Sequence, residues 1–247
     1  MHIMPIPNEA ALIVDERILV VADLHIGMEK ELKEAGFILP SQTEKMTERL
    51  LHILDSAKAE KLIVLGDLKH NVPQTSRQEW DEIPMLVQAA LEHVEDVEIL
   101  PGNHDGGIRK VVPDDVKVWS SRGTVIGDIG LFHGHAWPSK EVMESKTAIV
   151  AHEHPVVLFM DKLGMRTYKR CWVRSNFRRK SGRYEKMPKE LVVMPTFNEF
   201  CGGTPINDPK SEFLGPVLSN EYLVLSKSKV HLLDGTYLGI RSDLMLK

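Results

Sequence analysis

Short clusters of acidic residues and histidines recur along this chain, each directly after an apolar run that is typical of a β-strand. Seven of the eleven histidines lie in these clusters. The clusters are Asp23-Leu24-His25, Gly66-Asp67-Leu68-Lys69-His70, Gly102-Asn103-His104-Asp105, His133-Gly134-His135 and Ala151-His152-Glu153-His154. Because α/β folds place their sites at the carboxyl ends of strands, this pattern predicts that the clusters meet at one site.

Imidazoles and carboxylates together are common ligands of divalent metal ions. Aspartate and histidine two positions apart, as in Asp23 and His25, would project to the same side of an extended strand end. His152 and His154 repeat this spacing, and Asp67 follows a glycine that permits a tight turn. One such motif alone is more often a hydrogen-bonded surface turn. Five motifs in series predict a hydrolase with two metal ions.

The composition is that of an ordinary globular protein. The chain has 247 residues, of which 43% are hydrophobic and 27% charged, enough for a substantial core. It has no apolar run long enough to cross a membrane, and its N-terminus lacks the regions of a signal peptide. Cys171 and Cys201 are too few for a disulfide framework, so we expect a cytoplasmic protein. The sequence leaves open whether these two cysteines meet.

The net charge of −4 conceals a basic segment between Lys162 and Lys186. This segment holds ten Lys or Arg residues and one acid, a local charge of +9 that leaves −13 on the remainder. Such a field steers polyanions, and arginines interleaved with aromatic residues suit phosphate contact and base stacking. Four cations are predicted to bind nucleic acid: Arg174, Arg178, Arg179 and Lys180. The alternative is a solvated loop or a subunit contact.

The order of the predicted elements indicates an α/β fold. Apolar, β-branched runs predict strands at 11–14, 18–22, 61–65, 97–100, 116–119, 124–126, 130–132 and 148–150. Helices are predicted between the early strands, one with Ser41 as its N-cap and another over about 78–93. Strands and helices alternate in the first part of the chain, and strands dominate the later part. This order predicts two packed mixed β-sheets flanked by helices, in a single domain over residues 1–247.

The segment from about 160 to 188 has no clear periodicity and is rich in Arg, Lys, Ser and Gly. We predict a long loop or a short excursion there, not a separate domain. After this segment, an apolar run predicts a strand at 191–194. Two further runs predict a closing hairpin of 222–225 with 230–233.

The motif series closely resembles that of the calcineurin-like metallophosphoesterase superfamily over residues 23–154. Its Gly66–His70 motif is similar to the form found in nuclease subunits of double-strand-break repair complexes. The wider chain, including 195–203 and 232–236, is similar to archaeal phosphoesterases related to those nucleases. The resemblance implies a four-layer αββα metallophosphoesterase sandwich. The chain departs from the family pattern at Ala151, where the family usually has Gly. We expect this alanine to pack more tightly without causing loss of the metal.

The resemblance also implies a role for each motif residue. The ligands of the first ion would be Asp23, His25, His154 and a bridging Asp67. Those of the second ion would be Asn103, His133 and His152, again with Asp67. His104 would contact the scissile phosphate and help the leaving oxygen depart.

Further polar residues are expected around these ligands. His70 lies where the repair nucleases carry a histidine that assists phosphodiester cleavage, although orientation of Asp67 is an equally good interpretation. His135, Asp105 and Asn198 are expected to support the ligands or to contact the substrate.

Two divalent ions about 3.5–4 Å apart would lower the pKa of a bridging water and clamp the phosphate for in-line attack. A metal-bridging hydroxide is then the nucleophile, and no Ser or Cys nucleophile is needed. Manganese is the expected metal, with zinc, iron or nickel as alternatives. A protonated His104 would stabilise the charge that develops in the transition state.

The expected activity is two-metal hydrolysis of phosphodiester bonds, as a nuclease on DNA or RNA. A phosphomonoesterase or nucleotide hydrolase is the first alternative, although it would need a closed pocket for a small substrate. A nucleic-acid-binding or partner subunit of a helicase or ligase, with little activity of its own, is the second. A homo-oligomer is left open, and no membrane partner is expected.

Overall fold

Buried residues alternate between two faces along the central strands. The computed structural model describes residues 2–178, 182–220 and 222–246. In the run from Leu19 to Ala22, alternate residues join two different apolar cores, and all four are buried. Because consecutive strand residues point to opposite faces, a continuous apolar run is what a strand covered on both sides requires.

The first sheet carries the N-terminal motifs. Within the described residues its strands, in spatial order, are β1 (Ile3–Pro5), β2 (Ala11–Val14), β3 (Ile18–Val21), β4 (Lys61–Leu65), β5 (Asp96–Leu100) and β6 (Lys117–Val118). β1, β2 and β3 pair antiparallel, whereas β3 to β6 pair parallel. The carboxyl ends of β3, β4 and β5 therefore meet at one edge.

The second sheet carries the histidine motifs. Its strands in the described ranges are β7 (Thr124–Ile126), β8 (Ile129–Phe132), β9 (Thr147–Val150), β10 (Val156–Met160), β11 (Arg166–Asn176), β12 (Glu190–Val193), β13 (Lys229–Leu232) and β14 (Tyr237–Ile240). The spatial order is β14-β13-β11-β12-β9-β8-β7, and β10 pairs with β11. β8, β9 and β12 are parallel, so their carboxyl ends also share an edge.

Helices cover the outer faces of both sheets. They are α1 (Glu29–Glu34), α2 (Thr43–Ala57), α3 (Arg77–Leu91), α4 (Lys140–Met143), α5 (Pro216–Ser219) and α6 (Arg241–Leu244). α2 and α3 bury Leu50 and Ile83 against the first sheet, while α4 and α5 bury Val142 and Val217 against the second. Among the described residues, no helix is both long and apolar enough to cross a membrane. The predicted αββα layers are confirmed.

An apolar layer joins the two sheets face to face. It includes Ile63 and Leu65 from the first sheet, and Leu131, Ile149 and Val192 from the second, all of them buried. Close packing of this layer fixes how the sheets are oriented, and it thereby sets how their carboxyl edges approach each other.

We predicted a long loop or a short excursion at about 160–188, and the long loop is wrong over much of that segment. β10 and β11 form an antiparallel hairpin, and β11 continues into the second sheet between β12 and β13. The outer half of this hairpin extends away from the sheet, where Leu163 is 94% and Tyr168 50% exposed. A strand that is exposed at one end and buried at the other lacks the regular alternation that sequence analysis detects.

Two smaller predictions are also wrong. α2 begins after Gln42, and the hydroxyl of Ser41 donates to Oε2 of Glu82 at 2.9 Å. The capping box occurs at α3, where Ser76 and Glu79 bond reciprocally. The closing hairpin pairs β13 with β14, so its partner strand follows β13 in sequence instead of preceding it.

Ile149→Ala should lower the free energy of unfolding by about 2–5 kcal/mol, because a fully buried side chain between the sheets leaves a cavity when truncated. Ile38→Ala, at a side chain 92% exposed, is the matched control and should change stability by less than about 0.5 kcal/mol. Urea unfolding followed by circular dichroism measures both. Equal, small effects would contradict a packed layer at Ile149.

Candidate metal centre

The predicted ligands follow neighbouring strand ends in both sheets. Asp23 lies after β3, Asp67 after β4 and Asn103 after β5, which are adjacent parallel strands. His133 follows β8 and His152 follows β9, which are also adjacent and parallel. The two edges meet, since Nε2 of His133 lies 2.9 Å from Oδ1 of Asp23.

Left-handed backbone conformations aim several of these side chains into the centre. The residues are Asp23 (φ 56°), His25 (φ 46°), Asp67 (φ 47°), His152 (φ 71°) and His154 (φ 43°). Such a conformation is uncommon for non-glycine residues and costs of order 1–3 kcal/mol each. The predicted extended geometry of the Asp-x-His and His-x-His pairs is therefore wrong. Tight turns after the strands position these side chains.

Two buried carboxylates lie between the histidines. Oδ1 of Asp23 contacts His133, and Oδ2 of Asp23 lies 3.4 Å from Nε2 of His154. Oδ2 of Asp67 is 3.5 Å from Nε2 of His133 and 3.7 Å from Nε2 of His25. Asp67 thus lies between histidines from the two sheets, which is where a bridging ligand has to be.

Two ligand histidines present a lone pair on Nε2. Nδ1 of His154 donates to the carbonyl of Gly202 at 3.1 Å, and because a carbonyl only accepts, the proton is on Nδ1. Nε2 of His70 donates to a carboxylate oxygen of Glu31 at 2.6 Å, and Nδ1 of His70 lies 3.1 Å from Nδ1 of His25. His70 then accepts from His25, which leaves Nε2 of His25 unprotonated. Hydrogen bonds of this kind orient metal-binding imidazoles.

Burial and charge set the protonation of the centre. Burial holds the pKa of His25 well below its usual value and lowers the pKa of His152 to about 3. Burial alone would raise the pKa of Asp23, but His154 and His133 outweigh it and hold that pKa well below its usual range. Metal binding requires neutral imidazoles, which His25 and His152 supply; at His133 and His154, where Asp23 raises the pKa against the effect of burial, a metal ion would displace a proton.

The donor set fits two metal ions. Of four groups of three residues whose ligand atoms lie within 4.8 Å of one another in the described residues, two contain carboxylates: Asp23, His25 and Asp67, and Asp67, His133 and His152. Asp67 belongs to both groups. Nε2 of His25 and Nε2 of His154 are buried and have no hydrogen-bond partner among the described residues. Buried polar atoms normally have a partner, so these lone pairs indicate a missing ligand such as a cation.

A cavity of about 280 Å³ opens over the centre, and we call it the metal cavity. Asn103 and His104 line it together with the ligands. The backbone N–H of His104 donates to Oδ1 of Asp67 at 2.8 Å, and Nδ1 of His104 donates to the carbonyl of His70. With Nδ1 engaged, Nε2 is the nitrogen of His104 that remains for a substrate.

A larger cavity of about 920 Å³, here called the groove, adjoins the metal cavity. Gly202 and Gly203 line both. One wall of the groove carries Tyr168 and Lys169 from β11, and both side chains are exposed. The metal centre therefore continues into an extended surface depression.

His135 and Asp105 support the ligands from behind. Nδ1 of His135 lies 2.9 Å from Nδ1 of His133, and burial lowers the pKa of His135 to about 4, so it accepts as a neutral imidazole. Oδ1 of Asp105 accepts from the backbone N–H of Lys69 at 3.1 Å, and Oδ2 accepts from that of Gly102 at 2.8 Å. Burial raises the pKa of Asp105 to about 6. Asp105 thereby ties two ligand loops together.

The loop after β12 supports the ligands from the other side. Asn198 Nδ2 donates to the carbonyl of Leu24 at 2.8 Å, and the Thr196 hydroxyl donates to that of Asp23 at 2.9 Å. Arg170 in turn donates to the carbonyl of Thr196 at 3.0 Å. Asn198 is buried and contacts backbone, which places it behind the Asp23 turn.

The four predicted nucleic-acid contacts lie elsewhere or outside the described residues. Arg174 pairs with both carboxylate oxygens of Glu190, at 3.0 and 2.6 Å. Arg178 is exposed and donates to the carbonyl of Leu223 at 3.3 Å. Neither arginine lines the metal cavity or the groove. Arg179 and Lys180 are not among the described residues.

Sequence reasoning missed four residues near the centre: Glu31, Tyr168, Lys169 and Cys201. The basic segment was a signal for Lys169 and Tyr168, but nothing singled them out within it. Glu31 lies outside any motif, and Cys201 lies in the 195–203 stretch but outside the five acid and histidine clusters, so both approach the centre only through tertiary contacts. The two cysteines do not pair: both are free, and Cys171 is buried in the outer core of the second sheet.

The fold and the donor set are those of a metal-dependent hydrolase. The model of the calcineurin-like phosphoesterase family matches residues 16–187, and the chain belongs to this family. The resemblance inferred from the motifs is confirmed at the level of the superfamily. The chain is accordingly a metal-dependent phosphoesterase. No curated protein sequence matches the chain.

Solved structures are similar to this chain over most of its length. The Pseudomonas putida nuclease MPE is 23% identical, with a TM-score of 0.58, and the match covers 96% of this chain and 100% of that one. The Escherichia coli phosphoesterase YfcE is 14% identical, with a TM-score of 0.43, over 90% and 96% of the two chains. The first likeness supports the fold.

Gly102→Ala should weaken metal binding at least about 10-fold, because a Cβ there would lie 2.1 Å from Oδ1 of Asp67 and 2.5 Å from its backbone nitrogen. Gly106→Ala in the same loop is the matched control, since no atom lies within 4 Å of the added Cβ. Calorimetric titration with manganese and with zinc measures both. Equal affinities would show that Asp67 does not hold the ions.

Proposed function

We propose that this protein hydrolyses phosphodiester bonds in nucleic acid with two divalent metal ions. The observation that carries the proposal is the groove, which adjoins the metal cavity through Gly202 and Gly203. An enzyme for small phosphomonoesters needs a pocket that encloses its substrate. A groove of about 920 Å³ beside the centre leaves room for a strand on both sides of a scissile phosphate.

In this proposal each ligand keeps the role that the motifs imply. The first ion would be held by Asp23, His25 and His154, the second by Asn103, His133 and His152, and Asp67 would contact both. When bound, the ions supply Lewis acidity and a water of lowered pKa. The strongest support for this assignment comes from the Nε2 atoms of His25 and His154, which are buried and make no hydrogen bond in the described residues.

His104 is the catalytic side chain of the proposal. Its Nδ1–H is held by the carbonyl of His70, so proton transfer to the leaving oxygen takes place from Nε2. A diester releases an alkoxide, for which a proton donor at this position stabilises the departing charge. His70 is held between Glu31 and His25. This arrangement favours a role in which His70 positions His25, over one in which His70 acts directly on the substrate.

The groove wall supplies contacts suited to a nucleic-acid strand. Tyr168 is 50% exposed and presents a ring on which a base can stack. Lys169, its exposed neighbour, is available for phosphate. Because Arg174 is already paired with Glu190, Lys169 is the better candidate for contact with the phosphate backbone of a nucleic-acid strand. The word nuclease in the name of the Pseudomonas putida protein agrees with this choice of substrate.

Metal-loaded wild-type protein should hydrolyse bis(p-nitrophenyl) phosphate faster than p-nitrophenyl phosphate. Asp67→Ala should abolish the activity, and His104→Ala should lower kcat by about 10²–10⁴-fold, the usual contribution of a positioned proton donor. Release of p-nitrophenol with manganese, zinc, iron and nickel in turn measures these rates.

His52→Ala, at an exposed histidine of α2, is the control and should keep the wild-type rate. An inactive wild type with all four metals would refute the proposed hydrolysis. A preference for the monoester would refute the choice of diesters.

Tyr168→Ala with Lys169→Ala should weaken binding of a single-stranded oligonucleotide by about 10-fold or more, since stacking on one aromatic ring is worth about 1–3 kcal/mol. The salt dependence should become shallower by about one phosphate contact. Lys227→Ala, at an exposed lysine outside the groove, is the control. Fluorescence anisotropy at several salt concentrations gives both quantities, and unchanged binding would exclude the groove as the strand path.

A further inference from the structure

Cys201 lies beside the ligands of the first ion. Cys201, His25 and His154 each offer a ligand atom within 4.8 Å of the other two. The imidazole of His25 is buried, with its side chain 5% exposed, and in the described part of the chain its Nε2 makes no hydrogen bond, although Oδ2 of Asp67 lies 3.7 Å away. A thiol sulfur therefore lies at the edge of a site that already lacks a ligand.

The loop that carries Cys201 packs closely against the centre. A Cβ on Gly203 would lie 2.1 Å from the carbonyl oxygen of His154, so the backbone two residues after Cys201 contacts a ligand directly. Before Cys201, Glu199 is bonded to Arg170 at 3.0 Å and to Arg49 at 3.2 Å. Contacts on both sides hold the sulfur where it is.

The thiol of Cys201 contacts the thioether of Met28. Sγ of Cys201 lies 3.7 Å from Sδ of Met28, and Nδ2 of Asn198 lies 3.2 Å from the same sulfur. A thiol–thioether contact is weak, so a stronger partner would displace it readily. A divalent cation between His25 and His154 would be such a partner.

We propose that Cys201 is a thiolate ligand of the first metal ion, so that the two metal positions differ in chemistry. On binding, the S–H bond breaks, the sulfur–metal bond forms and the proton leaves to water. Thiolate with imidazole favours zinc, cobalt or ferrous iron, whereas the second position offers only nitrogen and oxygen donors. The first position therefore discriminates against manganese and the second does not.

Cobalt absorption spectroscopy on the full chain tests the proposal without measuring activity. The wild type and Cys171→Ala, which changes the other cysteine, should show the intense near-ultraviolet band of sulfur-to-cobalt charge transfer with the first equivalent of metal. Cys201→Ser should lose this band, and its preference for zinc over manganese should fall by about 10-fold or more. A band that persists in Cys201→Ser, or its absence in the wild type, would overturn the proposal.

X-ray absorption of the zinc-loaded wild type needs no variant, so it decides the matter even if Cys201→Ser misfolds. A zinc–sulfur distance of about 2.3 Å supports the thiolate, and a shell of only nitrogen and oxygen at about 2.0–2.1 Å refutes it. Either result is independent of whether the protein cleaves diesters.

Discussion

The buried carboxylate of Asp23 is the contact on which the rest of the centre depends. It bonds His133, lies beside His154 and accepts the backbone N–H of His152 at 3.2 Å, so one side chain from the first sheet gathers both histidine loops of the second. A charge buried this deeply is tolerable only while such partners surround it. The apolar layer at Ile63 and Ile149 has to keep the sheets in the one alignment that supplies them.

The layers could be predicted, and so could the meeting of the motif residues at one place, because apolar strands and the motifs after them are both local patterns. Features that depend on contacts between residues distant in sequence could not be predicted in this way. Ser41 looks like the N-cap of α2, but Gln42 occupies that position, and the Ser41 hydroxyl accepts from the backbone N–H of Thr43 while it donates to Glu82 of another helix. The left-handed turn at Asp67 reflects packing in which Gly66 lies against the ring of His133, 2.1 Å from where a Cβ would be. The strand at β11 was hidden because half of it is exposed.

The candidate metal centre and the groove are built from different parts of the chain. The ligands come from the motifs that the family model covers. The groove wall comes from β11 and from the loop after β12, which also carries Asn198 and Cys201. The loop is joined to the ligand turns by Thr196 and to β11 by Arg170. Under the proposed function, a change in β11 would alter which nucleic-acid strand is bound while the ligand turns stay the same.

The position of β12 also determines when the centre can be completed. β12 pairs parallel with β9 and antiparallel with β11, although it follows the region matched by the family model, which ends at residue 187. A chain emerging from the ribosome can pair β1 to β5 early, but β9 and β11 lack their common neighbour until Glu190–Val193 is made. Every metal-binding motif has by then been synthesised. A nascent chain thus carries the ligands of the five motifs, though not yet Cys201, before it can assemble them.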